Sequence, residues 1–301
     1  MKRRKTLKEL TLKENFMFSA VMITEPENCR RLLEMALDIK IERVEVDREK
    51  SLIYNPEYRG VRLDVYASDE QNTRYDVEMQ VQRMSLPKRA RYYHSQMDMD
   101  VLLSGEPYEK LPNSYVLFLC DFDPFGQGKY RYTRKQYFKE APEYEYDDGS
   151  YTVYLSTEGR NASEVPKELV SFLTFLRASL EESEQDFEDP YVNELQHTIR
   201  QIKASREMGE RYMLLEELLQ DERKAGHQEG HREGLREGQT KGKLIQVIEQ
   251  VCRKLKKNKC PIEIAEELEE DVELVERICE TASAFAPEYD VEGIYEKLNE
   301  K

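Results

Sequence analysis

The sequence predicts an α/β protein built on a mixed sheet, and three observations carry that prediction. Residues 61–80, "VRLDVYASDEQNTRYDVEMQ", hold two alternating runs joined by a polar turn, the pattern of a β-hairpin with one apolar and one polar face. Residues 113–122, "NSYVLFLCDF", are an almost unbroken apolar run of strand length, as expected of a strand covered on both faces. Between them, "LPKRARYYHSQMDMDVLLSG" has helical periodicity, with Pro87 near its start and Gly105 past its end. Strand, strand, helix, buried strand is an α/β order with a mixed sheet.

The other elements follow in chain order. Over residues 11–37 the helical spacing of Phe16, Val21, Leu32, Leu33 and Met35 is interrupted by "TEPEN", which places Pro26 early in the second of two short helices. "IERVEVDREK" alternates like a strand, and "YNPEYRG" reads as a loop. In the hairpin, Val61, Leu63 and Val65 are expected on one face and Arg62, Asp64 and Tyr66 on the other, which puts Asp64 mid-strand. After the turn "ASDEQNT", Val77, Met79 and Val81 oppose Asp76, Glu78, Gln80 and Gln82. Further on, "KYRYTRKQYF" and "GSYTVYLST" form a second hairpin with "KEAPEYEYDDG" as its long connection, and residues 166–223 are helical apart from "EQDFEDP".

A chain of 301 residues suits one catalytic-sized domain plus an appendage. The expected division is a core over residues 1–160, a helical extension over 161–224, a glycine-repeat spacer over 225–243 and a small acidic helical unit over 244–301. No run of about 18 apolar residues occurs, and the basic start "MKRRKTLKEL" leads into "TLKENFMF" rather than an apolar core. The expectation is a soluble, cytoplasmic protein without a membrane partner. Five scattered cysteines with no CxxC spacing support neither a disulfide framework nor a zinc site. The net charge of -15 argues against a polyanionic partner, but it is unevenly spread. Residues 1–140 hold 25 Lys and Arg against 23 Asp and Glu, a net of +2; the remaining 21 and 38 give residues 141–301 a net of -17. The first half is free to carry a local basic patch.

In "AGHQEGHREGLREGQTKG" the glycines 226, 230, 234, 238 and 242 recur every four residues. On a helix of 3.6 residues per turn they form a slowly winding stripe, at a cost of about 1 kcal/mol per glycine relative to alanine. Such a repeat is either a weakly stable charged spacer or a surface that lets a second copy approach closely. His227 and His231 sit four apart within it, but no third ligand accompanies them. Beyond it, "IEIAEELEEDVELVERI" has helix-turn-helix spacing, yet residues 261–280 hold nine acids and the single base Arg277, which phosphates would repel. It reads as a packing or oligomerisation unit.

The polar hairpin face raises the functional question. Residues two apart on a strand project the same way, so Glu78 and Gln80 share a face, and hairpin pairing lets Asp64 approach Glu78. Two hard carboxylates with water and a substrate phosphate suit Mg²⁺, and phosphodiester hydrolysis is the chemistry that follows. Polar alternation is equally what a solvated sheet face gives. Basic and aromatic residues follow directly: Arg83, Lys88, Arg89 and Arg91, then Tyr92, Tyr93 and Gln96, with Lys129, Arg131, Arg134, Lys135 and Lys139 in the later hairpin. Such interleaving is common on surfaces that track a nucleic-acid backbone.

Asp64, "EMQ" at 78–80 across a turn, and "RARYYHSQMDMDVLLSGEPYEKLPNSYVLFLCDFDPF" together resemble the PD-(D/E)XK nuclease superfamily, most closely its recombination-promoting nuclease branch, also labelled transposase. The resemblance covers about residues 9–140, and the glycine-repeat tail is typical of that branch. It implies a restriction-endonuclease-like core and a metal-dependent DNA endonuclease associated with recombination, with little sequence specificity. Asp64 and Glu78 would ligate Mg²⁺, or Mn²⁺ in its place, with the Met79 backbone carbonyl as a third ligand and Glu14 as the acid some members add from the first helix. Gln80 departs from the superfamily's lysine. Glutamine carries no charge, so the alternative is a catalytically weak fold retained as a nucleic-acid or protein-binding scaffold. Cutting both strands needs two sites, which implies a homo-oligomer, a dimer formed through the C-terminal helical half. No triad of the DDE transposase type, no Walker loop and no G-x-S-x-G signature occurs.

Overall fold

A computed structural model describes residues 4–47, 51–52 and 61–299. The loop expected at "YNPEYRG" lies outside the described residues. The chain divides into two compact units, residues 1–213 and 214–301.

The first unit opens with helices α1 (Asn15–Thr24) and α2 (Pro26–Leu37), separated at Glu25 and with Pro26 at the first turn of α2. Strands β1 (Val44–Asp47), β2 (Ser51–Leu52), β3 (Val61–Arg62), β4 (Val65–Asp69) and β5 (Arg74–Gln80) follow, then helix α3 (Leu86–Val101) and strand β6 (Ser114–Cys120). Strands β7 (Arg131–Thr133), β8 (Tyr137–Phe138), β9 (Ala141–Glu145) and β10 (Ser150–Ser156) complete the strands among the described residues. The main sheet has six strands in the order β1-β4-β5-β6-β10-β7. The β6 strand is central and parallel to both neighbours, whereas β1, β4 and β7 pair antiparallel. This is the mixed α/β sheet the element order predicted. The connection "KEAPEYEYDDG" is not a plain loop, because β8 and β9 pair within this region as a small hairpin of their own.

The sheet separates two apolar clusters. On one face Val65, Ala67, Tyr75, Val77, Met79, Leu117, Leu119, Val153 and Leu155 pack against α1, α2 and helices α4 (Lys167–Arg177) and α5 (Pro190–Ala204). On the other, α3 lays Leu86, Ala90, Tyr93 and Met97 over Tyr66, Val116, Phe118 and Tyr154, the i, i+4, i+7, i+11 stripe of an amphipathic helix. The residues expected to form a helical extension beyond residue 160 thus contribute Leu169, Phe172, Leu173, Leu176, Leu195 and Ile199 to the same core as the sheet.

The second difference lies in the glycine repeat. Helix α6 (Arg206–Leu255) runs unbroken through it, so the repeat at residues 225–243 is helical throughout. Close i, i+3 and i, i+4 charge pairs such as Arg232 with Glu229 accompany the helix there. In the second unit the end of α6 packs with α7 (Pro261–Leu268), α8 (Val272–Ser283) and α9 (Val291–Asn299) around Ile248, Val251, Ile264, Val275, Ile278 and Ile294.

Candidate active site

The alternation of the first strand does not continue through Asp64. Leu63 packs in the α3 cluster and Val65 in the opposite one, so two residues that would share a face of a straight strand lie on opposite faces. Asp64 is the bend between β3, which pairs with β2, and β4, which pairs with β1 and β5; it is not mid-strand.

This bend places the acids together. The β4–β5 ladder ends at Val65 opposite Val77, and beyond it the Asp64 side chain takes over: its Oδ2 accepts the Met79 backbone N–H at 3.0 Å. In return the Asp64 backbone N–H donates to Glu78 Oε1 at 3.2 Å. Helix α1 fixes the bend from the side, with Asn15 Nδ2 donating to both Asp64 carboxylate oxygens at 3.0 and 3.1 Å and Ser19 Oγ donating to the Asp64 carbonyl at 2.8 Å. In a strand the N–H and C=O of one residue point to the same neighbour, so the Met79 carbonyl faces the Asp64 side as well.

Glu78 is fully buried. Its Oε2 accepts Arg89 Nη2 at 2.5 Å, Gln80 Nε2 at 3.4 Å and Tyr93 Oη at 3.4 Å. Arg89 also donates from Nη1 to Gln80 Oε1 at 2.9 Å and from Nε to Tyr93 Oη at 2.6 Å, and its guanidinium lies 4.9 Å from the Tyr93 ring centre. Arg89 and Tyr93 are one helical turn apart on α3, which is why they share a side of the helix. Asp76, two residues before Glu78 on the same face, is fully buried, and neither carboxylate oxygen has a hydrogen-bond partner among the described residues.

Asp76 and Glu78 are held out of water and Asp64 is half-buried beside them, and their ionisation responds. Burial pushes Glu78 up to about 8, with Asp64 repulsion adding to it and Arg89 opposing. Burial raises Asp64 too, against the Met79 N–H, Arg89 and Asn15, which favour its charge. Asp76 is raised well above the carboxylate range by burial, then by Glu78 and Asp64; the two groups perturb each other without a hydrogen bond of good geometry between them. Burial lowers Arg89, but Glu78, Tyr93 and Asp64 together outweigh it, so the guanidinium is held more firmly charged.

The donor set matches a small hard cation: carboxylate oxygens from Asp64 and Glu78 and a backbone carbonyl facing the same side, in a cluster with more acid than base. Among the described residues no three His, Cys, Asp or Glu side chains converge as a ready-made cage. Two protein carboxylates, with remaining positions left to water and phosphate, are the arrangement Mg²⁺ tolerates. His227 and His231 are both exposed on α6.

The remaining predicted residues scatter. Glu14 turns away from the cluster: its Oε2 accepts the Thr11 N–H and hydroxyl at 2.6 and 3.0 Å, and Lys5 pairs with its other oxygen. Lys88 and Arg91 are exposed on α3, while Arg83 donates to the Asp123 carbonyl at 3.2 Å and stacks on Phe122. Tyr92 is half-buried, and Tyr93 and Gln96, expected on a nucleic-acid surface, are buried. The later basic cluster is largely engaged, since Lys129 pairs with Glu164, Lys135 with Glu145, and Arg131 and Arg134 donate to the Ala36 and Ser150 carbonyls. Sequence reasoning left out Asp76, although the same period of two that selects Glu78 and Gln80 selects it. It also left out Asn15, whose role depends on where α1 docks and has no local signal.

A mixed sheet whose β3–β4 bend brings an aspartate beside a buried glutamate defines a nuclease-like α/β protein. Residues 13–229 match the family described as PD-(D/E)XK nuclease family transposase, and the chain belongs to that family. No curated protein and no solved structure matches the chain at a significant level.

Proposed function

We propose that the protein is a Mg²⁺-dependent DNA endonuclease associated with recombination, with little sequence preference. The observation that carries this reading is the reciprocal contact of Asp64 and Glu78, each bound to the other's strand at the point where the ladder opens. When bound there, the ion would supply Lewis-acid polarisation of the phosphodiester and a more acidic water. Asp64, Glu78 and the Met79 carbonyl are the groups that would hold it. Asn15 and Ser19 keep the Asp64 bend in place, the α3 cluster excludes water from one side of Glu78, and the Gln80 amide orients a polar group without contributing charge. Exposed Lys88 and Arg91 on α3 support contact with a DNA backbone, and the C-terminal helical half is the proposed dimer contact that would bring two sites to one duplex. Among the described residues no helix is long and apolar enough to cross a membrane, and a cytoplasmic location is the expectation.

The test is nicking of supercoiled plasmid in Mg²⁺ or Mn²⁺ beside EDTA, with the Asp64→Ala and Glu78→Ala variants at matched folding. Metal-dependent nicking abolished by both substitutions is expected. The tie between Arg89 and Glu78 and the uncharged Gln80 favour one second reading, a nucleic-acid or protein-binding scaffold that no longer cuts. DNA binding that survives loss of Glu78, with cleavage never seen, selects it.

A further inference from the structure

Hydrolysis of a phosphodiester builds negative charge on phosphoryl oxygens that already carry one, and a preorganised cation at that point is among the strongest aids to the reaction. Glutamine at position 80 cannot be that cation. The strand bearing Glu78 and Gln80 has no other base beside them on its polar face except Arg74 at its far end. The cation comes from α3 instead. The Arg89 guanidinium spans Glu78 Oε2 and Gln80 Oε1 at 2.5 and 2.9 Å, its Nε is held by Tyr93 at 2.6 Å, and its side chain remains 28% exposed while Glu78 is at 0%. It therefore sits partly exposed beside the acid cluster, with Nη1 also donating to Met84 Sδ at 3.3 Å. Lys88 and Arg91 are rotated away on the helix and are exposed.

We propose that Arg89 meets the charge of the reacting phosphodiester and so supplies, from the helix, the cation that Gln80 does not. This rests on the nuclease reading of the same site. In the step it serves, a water oxygen bonds to phosphorus as the bond from phosphorus to one sugar oxygen breaks. One water proton ends on that leaving oxygen and the other on the new phosphate monoester, and no oxidant or reductant is involved. Glu78, Gln80 and Tyr93 hold the guanidinium in place before substrate arrives, and the second Nη2 N–H, beside the one given to Glu78, is the donor left for a phosphoryl oxygen. Lysine can replace the charge but not the planar guanidinium.

The experiment uses the full chain and a short labelled duplex. Binding is measured in Ca²⁺ over a range of salt, and single-turnover cleavage in Mg²⁺, for the wild type, Arg89→Ala and Arg89→Lys, with circular dichroism confirming the fold. Loss of one phosphate contact should reduce the slope of log affinity against log salt by about 0.9 in Arg89→Ala, and cleavage should fall on the order of 100-fold. Arg89→Lys should keep the wild-type slope and recover cleavage to within about tenfold of wild type, and guanidinium ion, against sodium chloride at equal ionic strength, should raise cleavage by Arg89→Ala by about tenfold or more, as expected for a displaced charge-stabilising donor. An unchanged slope in Arg89→Ala overturns the proposal whatever happens to cleavage. So does a cleavage loss that neither lysine nor guanidinium repairs, which would make Arg89 only a support for Glu78. A slope that falls as expected in a wild type that never cuts leaves the phosphate contact standing and removes the nuclease reading. If Arg89→Ala does not fold, Arg89→Lys decides: a lysine variant that folds but cuts no better than background overturns the proposal.

Discussion

The carboxylate of Asp64 serves Met79 as a strand partner would: its Oδ2 accepts the Met79 N–H at 3.0 Å where the β4–β5 ladder has stopped. One side chain therefore has a structural duty and a proposed chemical one, and substitutions can separate them. Asp64→Ala leaves the N–H without its acceptor and should cost about 1–3 kcal/mol in urea unfolding. Asp64→Asn keeps an acceptor oxygen and should lose less than half as much. Both should abolish nicking.

Buried acids make the metal-free protein sensitive to base. Glu78 titrates near 8 in the folded chain against 4.5 as its ordinary value, and Asp64 and Asp76 are displaced in the same direction. Between those two values the folded state holds more protons than the unfolded one. The stability these groups allow is fully present below about pH 4.5 and is lost as pH rises through about 8. Thermal midpoints in EDTA should therefore fall across that window, Glu78→Gln should flatten the fall, and Mg²⁺ should raise the midpoint more at the alkaline end than at the acid end.

The helices beyond residue 160 should behave as core. Leu173 on α4 is fully buried in the cluster that backs β5 and β6. Leu173→Ala should destabilise the first unit by about 2–5 kcal/mol. A loss below about 0.5 kcal/mol, the range of surface substitutions, would show α4 to be a detachable extension.

Light scattering tests the dimer. The exposed Leu235 lies within the glycine repeat of α6, and a methyl added at any of the glycines 226, 230, 234, 238 or 242 would meet open space in the single chain. Full-length protein should show about twice 35.7 kDa, and residues 1–225 alone should be monomeric. Leu235→Glu should shift full-length protein toward monomer; a full-length monomer ends the dimer proposal.

The sheet was largely legible because its signals are local. Period-two alternation located β4 and β5, and an apolar run located β6. Alternation selects Asp64 but misplaces it, since a bend leaves the letters alternating while the side chains on either side of it change face. Glycine propensity argues against a continuous helix over the repeat, and α6 nevertheless runs through it. Among Arg83, Lys88, Arg89 and Arg91 no feature of the sequence marks the one that turns inward. Only the docking of α3 through Leu86, Ala90, Tyr93 and Met97 decides it.

The central β6 strand has parallel partners on both sides, one ending at Gln80 and the other beginning at Ser150. Parallel partners must be brought together across long loops, and their assembly is slow compared with helices or hairpins. On the ribosome, the hairpin carrying Asp64 and Glu78 emerges early, but the neighbour that closes its sheet arrives only with residues 150–156, and the covering α5 only with residues 190–204. About two thirds of the chain must be made before the sheet and the core behind the acids are complete. An incomplete nascent chain would thus carry the acids and their direct partners without the finished core that backs them.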